Sequence, residues 1–317
     1  MARYVVGVDF GGTHLRAALI NEAGEVVHRD KRKTESWLGP AAVIAKIADA
    51  VRDVIADIPT DEVLGVGVIA PGPSNPYTGV VLKAPNLDGW ELIALDAALE
   101  QHLGKEVWLG NDANLAALAE HRYGAGRGYS HLIYVTVSTG IGGGVIINNQ
   151  MLLGAQGLAA EVGHMQIMPD GPLCGCGNHG CVEAVASGPN IARVARERIE
   201  HGAESSLSPL HGEVSTEHIV KAAQAGDALA IDVLADAGGY VGMAIANLIH
   251  IFNPQRIIIG GGVSNAGEFL FEPIRKAAKQ RTMPVYHGTY DIVAAELGDD
   301  VGLLGAAALA FMNAGAG

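Results

Sequence analysis

The sequence predicts an α/β protein of two related lobes around a cleft, and three features predict it. Apolar, β-branched runs alternate with segments of helical periodicity along the whole chain. A strand–glycine turn–strand frame occurs twice, at VVGVDFGGTHLRAALINEAGE and at IYVTVSTGIGGGVIINNQM, with Asn21 and Asn148 in matching turns. No low-complexity linker divides the halves.

Each element follows from its local pattern. YVVGVDF and HLRAALI read as strands joined by GGT, and VVHRDKRKT follows the turn NEAGE. Val43, Ile44, Ile47, Val51, Ile55 and Ile58 recur at helical spacing with charged residues between them. VLGVGVIAPG is a buried strand, LIALDAALEQHL a helix, KEVWLG a strand, and NDANLAALAEH opens another helix. The frame then restarts with HLIYVTV, GVIINN and the short piece QMLLG. Beyond a cysteine-rich insertion, helices are expected over 189–201, 216–225, 228–252, 268–281 and 303–312, with strands at RIIIGGGVS and TYDIVAAEL. The expected division is a first lobe of residues 1–114, completed by a terminal helix over 303–317, and a second lobe of residues 115–302. The lobes should hinge near Asn114.

Composition narrows the function. With 49% hydrophobic and 17% charged residues in 317, the chain can build a sizeable core and is not globally disordered. A formal net charge of −13 argues against general nucleic-acid or membrane-surface binding, because both polyanions would repel it. Asp9 interrupts the first apolar stretch, so no secretory signal is read there. The most apolar long segment, 228–252, carries Asp232, Asp236 and several glycines, which argues against a membrane span. The expected compartment is the cytoplasm, where thiols stay reduced.

Three glycine turns each follow an apolar strand: DFGGTHLR, STGIGGG and GGGVS. Glycine lets backbone approach an anion closely, and its free N–H groups can cradle phosphate oxygens. Gly11, Gly12, Gly140, Gly142, Gly261 and Gly262 are the candidates, with Thr13, Ser138 and Thr139 adding hydroxyl donors. Asp9 stands where a Mg²⁺ shell needs a carboxylate, and Arg16 is close enough in sequence to reach the phosphates. Taken singly, these are ordinary tight turns. No Walker A loop is present, and Val145 breaks G-x-G-x-x-G after STGIGGG. Their repetition in one frame points to a nucleotide-dependent phosphotransferase.

The three cysteines, Cys174, Cys176 and Cys181, fall in one window. An odd number in a reducing compartment makes a poor disulfide framework and a good metal cluster. Three thiolates and an imidazole suit tetrahedral Zn²⁺ in a closed, structural site. His164 and His179 are both in reach as the fourth ligand.

The glycine-turn set resembles the actin–hexokinase–Hsp70 superfamily over nearly the whole chain. That resemblance implies two actin-like (ribonuclease H-like) lobes, with the hairpins holding phosphates and the third turn contacting adenosine. E-x-G-H followed by C-x-C-G-x-x-G-C-x-E is more specific. Glu161, Gly163, His164, Cys174, Cys176, Gly177, Gly180, Cys181 and Glu183 match this signature of the ROK family (repressor, open reading frame, kinase). The resemblance selects His164 as the fourth zinc ligand within the loop 161–183. It further implies that Asn86 of PNLDGW, Asn111, Asp112, Glu161, His164 and Glu183 contact a hexose, and that Asp112 is the catalytic base. Asp112 otherwise reads as a helix N-cap, worth about 1 kcal/mol, and Asn86 as a turn residue.

The function so implied is ATP- and Mg²⁺-dependent phosphorylation of a hexose, most like a bacterial glucokinase acting on the 6-hydroxyl. N-acetylmannosamine, fructose, mannose and allose are alternative acceptors, and polyphosphate stays open as a further donor. A sugar-responsive repressor is disfavoured, since the first strand starts at Tyr4 and leaves no room for a helix-turn-helix. A non-catalytic sugar binder is disfavoured by the intact Asp9, Asp112 and glycine turns. The resemblance implies a homodimer or homotetramer.

Overall fold

The computed structural model describes residues 3–84 and 87–314. The chain opens as a meander of β1 (Tyr4–Phe10), β2 (His14–Asn21) and β3 (Val26–Lys33), followed by α1 (Pro40–Val54) and β4 (Val63–Ile69). Three short strands, β5 (Ser74–Asn75), β6 (Val80–Lys83) and β7 (Glu91–Ala94), form a small separate sheet. Then come α2 (Leu95–Leu103), β8 (Val107–Gly110) and α3 (Asp112–Tyr123).

The second half repeats the plan. A meander of β9 (Leu132–Val137), β10 (Ile141–Ile147) and β11 (Gln150–Met151) precedes the helices α4 (Val182–Ala186), α5 (Gly188–Glu200), α6 (Thr216–Gln224) and α7 (Ala228–Phe252). Next are β12 (Arg256–Gly260), α8 (Glu268–Arg281), β13 (Asp291–Ala294) and α9 (Val301–Ala314).

The two large sheets have the same topology, β3-β2-β1-β4-β8 and β11-β10-β9-β12-β13. In each, the first three strands are antiparallel neighbours and the last two join in parallel. The duplicated sequence frame is thus a duplicated sheet. Asn148 and Asn149, both at positive φ, make the tight turn between β10 and β11. In the corresponding earlier turn, Asn21 Oδ1 instead accepts from the N–H groups of Ala23 and Glu25 at 3.1 and 3.0 Å.

Helix α9 lies on β1 and β4 of the first sheet, and small residues permit the approach. A Cβ at Gly67 would stand 1.8 Å from the Ala306 carbonyl oxygen, so only glycine lets the helix backbone sit there. Helix α3 is packed on both sides. Leu115 and Leu118 meet Ala306 and Leu309 of α9, while Ala116 and Ala117 join Leu132, Tyr134 and Ile258 of the second sheet. Helix α7 is long and apolar enough for a membrane span by length and composition. More than half of its apolar window is nonetheless buried in the second core, where Val241, Ile245 and Leu248 lie among residues of α5, α6 and α8.

One expectation is corrected. LIALDAALEQHL is not helical throughout: Leu92 to Ala94 belong to β7, with Ile93 opposite Val81 of β6. The helix starts at Leu95, whose N–H donates to the Gly79 carbonyl at 3.0 Å. A cross-strand partner outside the local window decided the conformation.

Candidate active site

Four groups converge where α3, the β9–β10 turn, the cysteine loop and α4 meet. The first is the start of α3. Asn111 is its N-cap, and its Oδ1 accepts from the Asn114 N–H at 2.8 Å. The capping role open to Asp112 therefore falls to its neighbour. Asp112 occupies the first helical position, its Oδ1 accepting from the Ala113 N–H at 2.8 Å and its side chain exposed.

Glu161 is held by unusual backbone. It is the centre of an inverse γ-turn, closed by the Val162 N–H donating to the Ala160 carbonyl at 2.7 Å. Ala160 before it lies at φ 67°, a left-handed conformation that costs a non-glycine residue about 1 kcal/mol or more. Two residues on, Gly163 packs against β10 so tightly that a Cβ would stand 1.9 Å from the Ile141 carbonyl oxygen. The glycine of E-x-G-H thus pins Glu161 and His164 against the second glycine hairpin.

Burial pushes the Glu161 carboxyl above its ordinary range. The His164 ring pulls it back, and the negative charges of Asp112 and Glu183 push it further up. These three carboxylates and one imidazole therefore share one electrostatic site. Glu183, on α4, ties that site to the hairpin: its Oε2 accepts from the Ile141 N–H at 2.9 Å, and its Oε1 lies 3.8 Å from the Cys174 sulfur.

His164, Cys174, Cys176 and Cys181 bring their ligand atoms within 4.8 Å of one another. The Cys176 and Cys181 sulfurs are 3.7 Å apart, and Cys174 Sγ is 3.7 Å from His164 Nδ1. A tetrahedron with Zn–S bonds of 2.3 Å has S···S edges of about 3.8 Å, so the donor set fits that ion. His179 is not in the group; its Nδ1 faces the Gly171 carbonyl at 3.1 Å. Burial pushes the Cys181 thiol up to about 12, so forming its thiolate at neutral pH needs a cation.

Beside this site opens a cavity of about 820 Å³, floored by the β9–β10 turn, α5, α6 and the turn after β12. Ser138, Thr139 and Gly262 line it. Gly140, Gly142 and Gly261 do not line it, nor do Asp9, Gly11, Gly12, Thr13 and Arg16 of the first hairpin. In that hairpin Asp9 is ion-paired with Arg16, and Arg16 Nη1 donates to the Asp299 carbonyl at 3.0 Å, just ahead of α9. Arg196, Thr216, Lys221, Gln224 and Asn265 also line the cavity, and sequence reasoning missed them. The helix over 216–225 was legible, but its cap at Ser215, completed by His218 where the usual signature has Glu or Gln, was not, and nothing local says which cavity that helix faces. Asn86 lies outside the described residues.

The duplicated sheet, the carboxylate site and the Cys₃His loop define an actin-like α/β protein with two lobes and, in the second, a loop whose donor set is consistent with a zinc site. The chain belongs to the ROK family, whose profile matches residues 5–312. It is 39% identical over 308 residues to a glucokinase of Thermotoga maritima, covering 96% of both chains. It is similar to the ROK hexokinase structure from Thermus thermophilus, with TM-score 0.85, 34% identity and coverage of 99% of this chain and 100% of that one. It is also similar to a ROK family glucokinase from Streptomyces griseus in complex with glucose and AMPPNP, with TM-score 0.80, 36% identity and coverage of 98% and 99%.

Proposed function

We infer that the chain is an ATP-dependent glucokinase, transferring the γ-phosphate of ATP to the 6-hydroxyl of glucose. The observation that carries this reading is the position of Glu183. It belongs to the carboxylate site with Asp112 and Glu161, and it also binds the backbone of a glycine turn that opens on the cavity. A site rich in hydroxyl acceptors is thereby joined to a site able to hold phosphates. Relatives named glucokinase, and a similar structure holding glucose with an ATP analogue, support the same donor and acceptor.

In this reading Asp112 takes the proton of the attacking hydroxyl through Oδ2, since Oδ1 is engaged by Ala113. Asn111 offers its amide N–H₂ to a sugar oxygen, because its Oδ1 caps the helix. Glu161, Glu183 and His164 accept or donate hydrogen bonds at the remaining hydroxyls, and Asn86 is assigned to the same sugar by family resemblance. The turns at Gly11–Thr13 and Ser138–Gly142, with Gly261 and Gly262, hold the nucleotide, and Arg16 orients Asp9. Asp9 would hold Mg²⁺, which when bound with ATP would neutralise charge on the transferring group. His164 and the three cysteines would hold a structural Zn²⁺, which stiffens the loop carrying Glu161 and Glu183. Positioning and electrostatics then account for most of the rate. We further read residues 1–114 with 303–317 as one lobe and 115–302 as the other; the packing of α9 on β1 and β4 supports this.

A coupled assay with ATP and a panel of glucose, mannose, fructose, allose and N-acetylmannosamine tests the proposal. Glucose should give the highest kcat/KM. Absence of phosphorylation of every sugar would overturn the kinase reading, and a different winner would overturn the glucose assignment.

A further inference from the structure

Glu120 is the fully buried carboxylate of α3, and its bonds reach beyond that helix. Its Oε2 accepts from the Ala125 N–H at 2.8 Å, and its Oε1 accepts from the N–H groups of Glu296 and Leu297, both at 3.0 Å. These partners mark the two places where the chain passes between the large sheets. The first passage runs from β8 through α3 to β9, and the second runs from β13 through residues 295–300 to α9.

The two passages carry different parts of the proposed machinery. Asp112 stands at the start of α3, two turns ahead of Glu120. The other passage holds the Asp299 carbonyl that anchors Arg16, which is ion-paired with Asp9. A single carboxylate thus fastens the acceptor-side strut to the donor-side strut. Nothing in a merely packed hinge requires this. Desolvating a carboxylate is costly, and here three backbone donors offset that cost.

Resting on the kinase reading above, we propose that Glu120 is a positioning residue for phosphoryl transfer. It locks both inter-lobe passages into one hinge, so that closure brings Asp112 into a fixed register with the phosphates held from the Asp9 side. It touches neither sugar nor nucleotide. Loosening it should therefore misplace the acceptor hydroxyl without removing any binding group, and a misplacement of about 1 Å can cost about 10²-fold in rate.

The test compares Glu120→Gln and Glu120→Ala with the wild-type protein. We expect kcat to fall at least about tenfold in Glu120→Gln and further in Glu120→Ala, with glucose affinity by direct titration within about threefold. The ratio of ATP hydrolysed to sugar phosphorylated should rise, because water reaches the phosphoryl group when the hydroxyl is out of register. A purely structural role would lower the active fraction and leave that ratio unchanged, and that result would overturn the proposal. In the wild-type protein, hydrogen exchange at Ala125, Glu296 and Leu297 should stay slow both without ligands and with glucose plus AMPPNP. Deprotection in either state would overturn the proposal even if the variants failed to fold. An inactive wild-type protein would instead overturn the kinase reading, so the two failures are distinct.

Discussion

The carboxylate of Glu183 accepts the Ile141 N–H at 2.9 Å, joining the cysteine loop's last signature residue to the second glycine hairpin. Glu183→Ala would leave that amide unpaired in a half-buried setting, at a cost of about 1–3 kcal/mol. The expected outcome is a lower thermal midpoint together with weaker glucose binding. Differential scanning fluorimetry and a glucose titration on the same sample check both; a change in neither would remove Glu183 from this role.

Asp112→Asn keeps the shape at the first turn of α3 and can keep the acceptor for Ala113. It abolishes proton acceptance by a carboxylate. Turnover should drop by roughly 10²–10⁴-fold, the usual range for removing a general base. Glucose affinity and the urea midpoint should stay close to wild type. Retained turnover would show that another group takes the proton.

Metal analysis should find about one zinc per chain, since the four donor atoms lie close enough to make one closed site. Cys181→Ser should release it and lower stability. Binding also requires deprotonated thiols, and burial raises the Cys181 thiol to about 12. Zinc affinity should therefore fall as pH falls, because protons compete for the same sulfur atoms. A chromogenic chelator followed from neutral to mildly acidic pH reads this directly.

Asp227, the N-cap of α7, tests acid stability away from the site. Burial opposes its ionisation, yet bonds from the Ala230 N–H and from Ser206 and Ser205 outweigh this and hold its carboxyl down at about 2. The folded value is depressed, so its contribution is complete above the ordinary carboxylate range and is lost as pH falls toward 2. Asp227→Ala should cost about 1 kcal/mol near neutral pH. The gap between the variant and wild-type urea midpoints should narrow on acidification; a constant gap would contradict the linkage.

Much of the fold was legible because periodicity is a local signal. The repeated frame of β1–β2 and β9–β10, the helix at 228–252 and the cysteine window all show in short windows. Strand β7 was not legible, since LIALD reads as helix until its pairing with Val81 is known. The three cysteines stood out because clustered thiols in a reducing compartment have few other uses, whereas the preference for His164 over His179 came from the family signature. The cavity wall from α5 and α6 did not, because those side chains meet the hairpin turn only after the chain has doubled back.

By itself, then, the sequence determined the two-lobe plan, the signature E-x-G-H with its cysteines, and the pair Asn111-Asp112. Tertiary structure alone decided that Asn111 rather than Asp112 caps α3, that Glu183 reaches the Ile141 amide, and that Glu120 joins residues far along the chain. The physical reason is range. Propensity and hydrophobic period act over a few residues, whereas a hydrogen bond's partner is chosen by which backbone groups folding leaves unpaired nearby.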